Sequence, residues 1–334
     1  MISKDASILV LGHTGLVGSA VVRKLLAEGF GNLTGISRKY KYEAEFKTRQ
    51  RRTRQRSCDL AQKELAGIRE LFLDREAEYI IMAAGRVGGI YANSADPADF
   101  ITDNLRMGLN VIQAAYEAKV KKLLYLGSSC IYPRNSPQPM AESALLTGPL
   151  EPTNAPYAIS KIACVTACEA YNRQHGTKFI CAMPTNVYGP GDNFKFPNCH
   201  VVPAMLVRFH EAKRLGLDAV CLWGDGKARR EFIFSDDLAD ALLFLLDRYE
   251  PDPGEMPIVN VGSGEDMTIR QLSSKVAKVV GYEGGVRWDR LMPNGTPQKL
   301  LDISKLKALG WSGPFTDMDE GLRVAYESLL KSAQ

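Results

Sequence analysis

A serine, a tyrosine and a lysine occur in an order that suits reduction of a carbonyl. Ser128 follows the apolar run Leu123 to Leu126, within Gly127-Ser128-Ser129-Cys130-Ile131-Tyr132-Pro133. Tyr157 comes 29 residues later and Lys161 four places beyond it, in Tyr157-Ala158-Ile159-Ser160-Lys161. Residues four apart share a helix face, so Lys161 is expected to reach the Tyr157 hydroxyl. A cation there lowers a phenol's pKa, and the Ser128 hydroxyl can polarise the same carbonyl. Such a set protonates an alkoxide as hydride arrives. Cys130 is not needed for that reaction. Paired with His200, in Asn198-Cys199-His200-Val201-Val202-Pro203, it could move a proton on a carbon beside a carbonyl, through an enolate. Taken singly, Cys130 reads equally well as a packing thiol, and His200 as a structural histidine.

The elements that must position these residues are those of an open α/β sheet. Ile8 to Leu11 is an apolar run that ends in Gly12-His13-Thr14-Gly15-Leu16-Val17-Gly18, and Ala20, Val21, Leu25 and Leu26 then recur at helical spacing. Strand, glycine turn and helix in that order bring backbone N–H groups to a pyrophosphate. Asn32 to Ser37 reads as a second strand, with Ser37-Arg38-Lys39 where an acid would hold a ribose 2′-hydroxyl. An arginine there selects NADP over NAD. Residues 40–57 are expected to be a mobile loop, and Cys58-Asp59-Leu60 to lie where such folds contact adenine. Tyr79 to Ala84 predicts a third strand, followed by the turn Gly85-Arg86-Val87-Gly88-Gly89-Ile90. A helix is predicted over Pro97 to Ala118, a fourth strand over Lys122 to Leu126, and a loop crossing the site over 133–154. The Tyr157 helix runs to about His175 and stops at Gly176. A strand over Lys178 to Ala182 leads to Pro184-Thr185-Asn186-Val187-Tyr188-Gly189-Pro190. Beyond it the pattern predicts an amphipathic basic helix (Val201 to Leu215), a strand (Ala219 to Trp223), and a helix after Arg229–Phe234 capped by Asp236 and Asp237. A strand over Ile258 to Val261 and a helix over Thr268 to Val280 follow. The expected architecture is a Rossmann doubly wound parallel sheet (residues 1–187, with later strands from about 219–262) and a smaller C-terminal substrate-binding lobe (188–334).

Composition narrows the functional classes. The 334 residues are 45% hydrophobic and 24% charged, ordinary for a globular protein. No run approaches the roughly 20 apolar residues of a membrane span, and no signal peptide is expected where the first residues read straight into a strand. Seven cysteines, at 58, 130, 164, 168, 181, 199 and 221, lack metal-type spacing, which predicts a reduced, cytoplasmic protein without a metal. The net charge of +4 comes from one stretch, Arg38 to Arg56, with nine Lys/Arg and two acids. The remainder carries 33 basic and 36 acidic residues, so a nucleic-acid-binding face is not expected. The basic stretch reads as a solvated surface excursion.

The order of glycine turn, strand-end serine and Tyr-Lys helix resembles the extended short-chain dehydrogenase/reductase family, whose glycine turn has this GxxGxxG spacing. The blocks GSSCIYP, EPTNAPYAISK, MPTNVYGPGDNF, NCHVVP, ARREF and GTPQKLLD, with VGGIYAN and PADF, are similar to its bifunctional 3,5-epimerase/4-reductases of GDP-4-keto-6-deoxy-D-mannose. That resemblance implies catalysis by Ser128, Tyr157 and Lys161, with Cys130 as epimerisation base and His200 as its acid partner. It implies inversion at C3 and C5, then NADPH-dependent reduction at C4 to GDP-L-fucose. NADP(H) contacts are implied for Gly12, His13, Thr14, Gly15, Leu16, Val17, Gly18, Arg38, Asp59, Leu60, Ala83, Ala84, Leu126, Tyr157, Lys161, Pro184, Asn186, Val187 and His200. GDP-sugar contacts are implied for Ser129, Asn186, Arg208, Trp223, Arg230, Asn294 and Lys299, and a homodimer packed through residues 97–118 and 156–175. Arginine forks suit diphosphate oxygens, and an indole offers a packing face for guanine, although Trp223 alone would read as a core aromatic. Three residues depart from the family pattern: Thr14 replaces an expected arginine, Asn294 an aspartate, and Gln298 a basic residue. A related GDP-4-keto sugar, a 3,6-dideoxy-hexose or a 6-deoxy-heptose, would use the same residues, and a non-catalytic NADP- or nucleotide-sugar-binding relative would keep the fold.

Overall fold

A computed structural model describes residues 1–38, 53–196, 198–292 and 294–332. Most of the basic excursion lies outside the described residues. Its last part does not form the expected loop: Arg54–Ser57 is a strand, β3, the edge of the main sheet. Its sequence RQRS has no apolar alternation, and a charged, half-exposed edge strand is held by its ladder to the neighbour rather than by burial.

Seven parallel strands build that sheet: β1 (Ile8–Leu11), β2 (Leu33–Ser37), β3, β4 (Tyr79–Met82), β5 (Lys122–Leu126), β6 (Phe179–Pro184) and β10 (Ile258–Val261). Their spatial order is β10-β6-β5-β4-β1-β2-β3, with Leu11 opposite both Ile36 and Met82. The winding reverses between β1 and β4, the crevice where doubly wound sheets bind ligands. Both faces are covered, so the strands read as continuous apolar runs. Ile8 and Val10 pack under α1 (Leu16–Ala27) and α7 (Ser235–Arg248). Leu9 and Leu11 face α2 (Leu65–Leu73), α4 (Pro97–Glu117) and α5 (Ala155–His175). Each such side chain, fully buried, contributes about 1.5–3 kcal/mol. Helices α4 and α5 approach closely enough that a Cβ on Gly108 would fall 2.2 Å from the Cys164 sulfur. That contact fixes the helix bearing Tyr157. Between β4 and α4 the turn expected after the third strand also contains a short helix, α3 (Ile90–Ala95).

The smaller lobe has its own core around Phe209, Val220, Leu272, Val276 and Leu322. It comprises β7 (Asn186–Tyr188), α6 (Val201–Arg214), β8 (Ala219–Trp223), β9 (Arg229–Phe234), β11 (Asp266–Thr268), α8 (Ile269–Val280), β12 (Gly285–Asp289), β13 (Gln298–Lys299) and α10 (Met318–Ser332). Strand β9 is the hub, flanked by β7, β11 and β13. Of the stretch 219–262, only β10 joins the main sheet; β8 pairs with β12 in the lobe. Asp236 and Asp237 do not cap α7. Its N-cap is Phe234, Asp236 pairs with Arg23 on α1, and Asp237 accepts from Thr316. These carboxylates sit in the first turn, where the helix dipole still favours them. A short helix, α9 (Ser304–Ala308), buries Leu306 under the α1/α7 face. Among the described residues no helix is long and apolar enough to cross a membrane.

Candidate active site

The turn after β1 leaves no space for side chains. Gly12 has φ +86°, and a Cβ there would stand 2.7 Å from the Ala84 backbone N across the switch point. A Cβ on Gly18 would fall 2.1 Å from the Gly12 carbonyl oxygen. Gly15, the N-cap of α1, has no side chain to satisfy the first-turn N–H groups, which stay directed at the crevice. His13 is buried against Gly35, and burial lowers its pKa. Thr14, Leu16 and Val17 are half-buried around the turn, and Ala83 and Ala84 are half-buried beyond β4. Arg38 is exposed just past β2, its carbonyl accepting from Ser57 Oγ at 2.9 Å. Asp59 accepts from the Ala61 N–H at 3.0 Å, and Leu60 is buried. A glycine cradle, free helix N–H groups and a cation in place of an acid fit a phosphorylated dinucleotide such as NADP.

Ser128, Tyr157 and Lys161 meet at the end of β5. Ser128 caps a short 3₁₀ turn, its Oγ accepting from the Cys130 N–H at 3.2 Å, and it also hydrogen-bonds the Tyr157 hydroxyl. Burial raises the Tyr157 pKa, as does negative charge at Cys130, and the Ser128 hydrogen bond opposes both. Among the described residues no hydrogen bond joins Lys161 to the Tyr157 hydroxyl, the contact that the helix spacing predicted. The lysine Nζ donates to the Leu126 carbonyl at 2.8 Å and stands 5.8 Å from the Tyr157 ring centroid. A buried ammonium needs an acceptor, and the carbonyl at the strand end supplies it. Desolvation brings the Lys161 pKa down to about 8.

Cys130 is the meeting point of three distant segments. Asn154 Nδ2 donates to its sulfur at 3.2 Å and Lys299 Nζ at 3.5 Å. Arg230 is close enough that negative charge at Cys130 and Glu151 favours its charged form, though burial outweighs both and lowers its pKa. Its two amino groups donate to the Arg229 carbonyl at 2.7 Å and the Asn294 carbonyl at 3.3 Å. Sequence reasoning missed Asn154 and Glu151. Asn154 stands three residues before Tyr157, within the EPTNAPYAISK block. The buried Glu151 forms an ion pair with Arg134 and accepts from Thr153 and Thr296. Glu151, Arg134 and Thr153, with Lys227 and Asn294, line a cleft of roughly 640 Å³.

The remaining predicted residues are dispersed. His200 is the N-cap residue of α6, beside a loop whose backbone presses on Gly88 and Gly89. The residue is exposed as a whole, yet the surrounding protein desolvates its ring enough to lower its pKa. No hydrogen bond joins it to Cys130 among the described residues. Arg208 lies over the Phe196 ring at 4.8 Å, and its charge reaches Cys199. Trp223 is half-buried in β8 opposite Asp289. Ser129 and Pro184 are buried, Val187 is half-buried, and Asn186 donates to the Glu231 carbonyl at 2.8 Å. Asn294 Oδ1 accepts from the Asp225 N–H at 3.0 Å.

A doubly wound sheet with a glycine cradle at its switch point and a Ser–Tyr–Lys set at the next strand ends defines an extended short-chain dehydrogenase/reductase. Residues 8–262 match the model of the NAD dependent epimerase/dehydratase family. GDP-L-fucose synthase 1 of Arabidopsis thaliana is 51% identical over 332 residues, which span 99% of this chain and 95% of the relative. GDP-L-fucose synthase of Escherichia coli K12 is 42% identical over 330 residues, 97% of each chain. A solved GDP-mannoheptose C4 reductase of Campylobacter jejuni with NADP bound superposes with TM-score 0.83 at 32% identity, covering 99% of this chain and 100% of that one. The chain belongs to the NAD dependent epimerase/dehydratase family, among its GDP-L-fucose synthases.

Proposed function

We propose that this protein converts GDP-4-keto-6-deoxy-D-mannose to GDP-L-fucose, by epimerisation at C3 and C5 and reduction at C4. The observation that carries this reading is the Cys130 sulfur, two residues from the reductase serine and held by two N–H donors (Asn154 and Lys299) that a plain reductase would not need. Cys130 removes the proton beside the C4 carbonyl, the Ser128 hydroxyl donates to the resulting enolate oxygen, and His200 returns a proton on the opposite face. NADPH, when bound, supplies the hydride for C4. Tyr157 gives its proton to the C4 oxygen while Ser128 donates to the same atom, and Lys161 carries the positive charge behind them. The glycine cradle, Arg38, Asp59 and the strand ends at Ala83, Ala84, Leu126, Pro184, Asn186 and Val187 hold the dinucleotide. Arg208, Trp223, Arg230 and Asn294 of the smaller lobe hold the GDP end. The NADP-bound C. jejuni relative supports that cofactor, and its title as a mannoheptose reductase supports a second reading, the same chemistry on a GDP-4-keto heptose. Exposed Leu109 and Ile159 on α4 and α5 support a homodimer through those helices, and seven free thiols support a reduced, cytoplasmic setting.

The test is NADPH oxidation with GDP-4-keto-6-deoxy-D-mannose, followed by NMR of the product. GDP-L-fucose is the expected product. Absorbance that stays constant at high enzyme concentration would refute the catalytic reading, and faster turnover of the heptose analogue would move the substrate assignment.

A further inference from the structure

One buried carboxylate is not used by the mechanism above. Glu231 is fully buried at the centre of the smaller lobe. Strand β13 pairs with β9 only at Gln298 and Lys299, opposite Arg229 and Arg230. Where that backbone ladder ends, the Glu231 side chain continues it: Oε2 accepts from the Leu301 N–H at 2.9 Å, and Oε1 accepts from the Gly264 N–H at 2.7 Å. The loop after β10 is moulded on the carboxylate, since a Cβ on Gly262 would fall 2.2 Å from Oε1. From the other side, Leu300 N–H donates to Gln138 Oε1 at 2.8 Å and Asp302 N–H to the Met140 carbonyl at 2.9 Å. Residues 299–301 are therefore fixed on both flanks, and the side chain at 299 points onto the Cys130 sulfur.

We infer that Glu231 is a positioning residue for epimerisation: its carboxylate sets the register of residues 299–301 and thereby places the Lys299 ammonium on Cys130. The inference rests on the reading of Cys130 as the base. A buried carboxylate that accepts two backbone N–H groups resists displacement, because each donor left unpaired carries its own desolvation cost. The carboxylate makes no contact with Cys130, so Glu231 acts on it only through the Lys299 donor on its sulfur.

The experiment measures iodoacetamide alkylation of each cysteine in the full chain by peptide mass spectrometry. Glu231→Gln and Lys299→Met are each expected to slow Cys130 about tenfold, the scale of one charge-assisted hydrogen bond, and the double variant to be no slower than Lys299→Met. The exposed Cys221 should keep its rate, and the buried Cys164, Cys168 and Cys181 should stay protected. Glu231→Asp, which keeps the charge but withdraws it by one methylene, gives a milder variant with the same expected coupling to Lys299. An unchanged Cys130 rate, multiplicative effects in the double variant, or newly reactive core cysteines would overturn the inference. Solvent-deuterium exchange at C3 and C5 that survives Cys130→Ser would instead overturn the reading of Cys130 as base, and leave the Glu231–Lys299 coupling standing on its alkylation rates.

Discussion

Replacing Lys161 with methionine tests whether this buried lysine is held against its own preference for water. The side chain is buried, and desolvation brings its pKa from the ordinary 10.5 to about 8. Between those values the unfolded chain binds more protons than the fold, so stability rises with pH through the window from about 8 to 10.5. Below pH 8 both states are charged and the burial penalty is complete. At about 1.4 kcal/mol per pH unit, that penalty is on the order of 3 kcal/mol at pH 7. Methionine fills the same space without a charge but leaves the Leu126 carbonyl, now bonded at 2.8 Å, without its donor, a cost of about 1–2 kcal/mol at any pH. Lys161→Met should therefore be more stable than the parent by about 1–2 kcal/mol at pH 7 and less stable by about 1 kcal/mol near pH 10.5. Urea unfolding followed by tryptophan fluorescence at the two pH values gives the difference directly. A constant difference across the range, or a variant that loses stability at pH 7, would refute the argument that Lys161 is strained by burial.

Gly18→Ala should weaken NADPH binding at least about 100-fold, because its Cβ would fall 2.1 Å from the Gly12 carbonyl oxygen and displace the pyrophosphate turn; an unchanged fluorescence titration would show that the turn is not the cradle. Tyr157→Phe should lower the reduction rate by about 10²–10⁴ while deuterium still enters C3 and C5, and loss of both would mean the half-reactions share this proton donor. Cys130→Ser should abolish that exchange yet oxidise GDP-L-fucose with NADP at a rate near the parent's, since the reverse oxidation needs no epimerisation; loss of oxidation as well would argue for a structural thiol. Burial pushes the Asp192 carboxyl, whose Oδ2 has no hydrogen-bond partner among the described residues, up to about 7. Its neutral form is the one the fold tolerates, so the parent should lose stability from about pH 4 to pH 7 relative to Asp192→Asn, and parallel thermal melts over that range would count against it.

What could be read from the chain was what local spacing encodes. The apolar runs of β1, β4, β5, β6 and β10 are legible because both faces of a parallel sheet are covered. Gly12 to Gly18 and Tyr157 with Lys161 are legible because each set lies within one turn or one helix. Strand β9 was not, although it is the hub of the smaller lobe: its sequence RREFIF begins with two arginines and a glutamate, and that glutamate is buried because Gly264 and Leu301, both distant in sequence, satisfy it. The partners of Cys130 fail for the same reason, since Asn154 lies 24 residues away and Lys299 lies 169 away. The Lys161 contact with Leu126 was missed because helix spacing says which residues share a face but not which acceptor a buried cation finds first.

On the proposed mechanism the two half-reactions share one hydroxyl, and its hydrogen bonds explain how they can remain separable. A serine has one O–H to donate and lone pairs to accept with. The Cys130 backbone N–H occupies one lone pair of Ser128 Oγ, which fixes the rotamer without using the hydroxyl hydrogen. That hydrogen remains for the Tyr157 oxygen or for a carbonyl placed beside it. Because residue 130 orients Ser128 through its backbone, its side chain is free to carry different chemistry, and a sulfur can stand there without disturbing the reductase geometry. The coupling that remains is electrostatic: negative charge on Cys130 acts in the same direction as burial and raises the Tyr157 pKa.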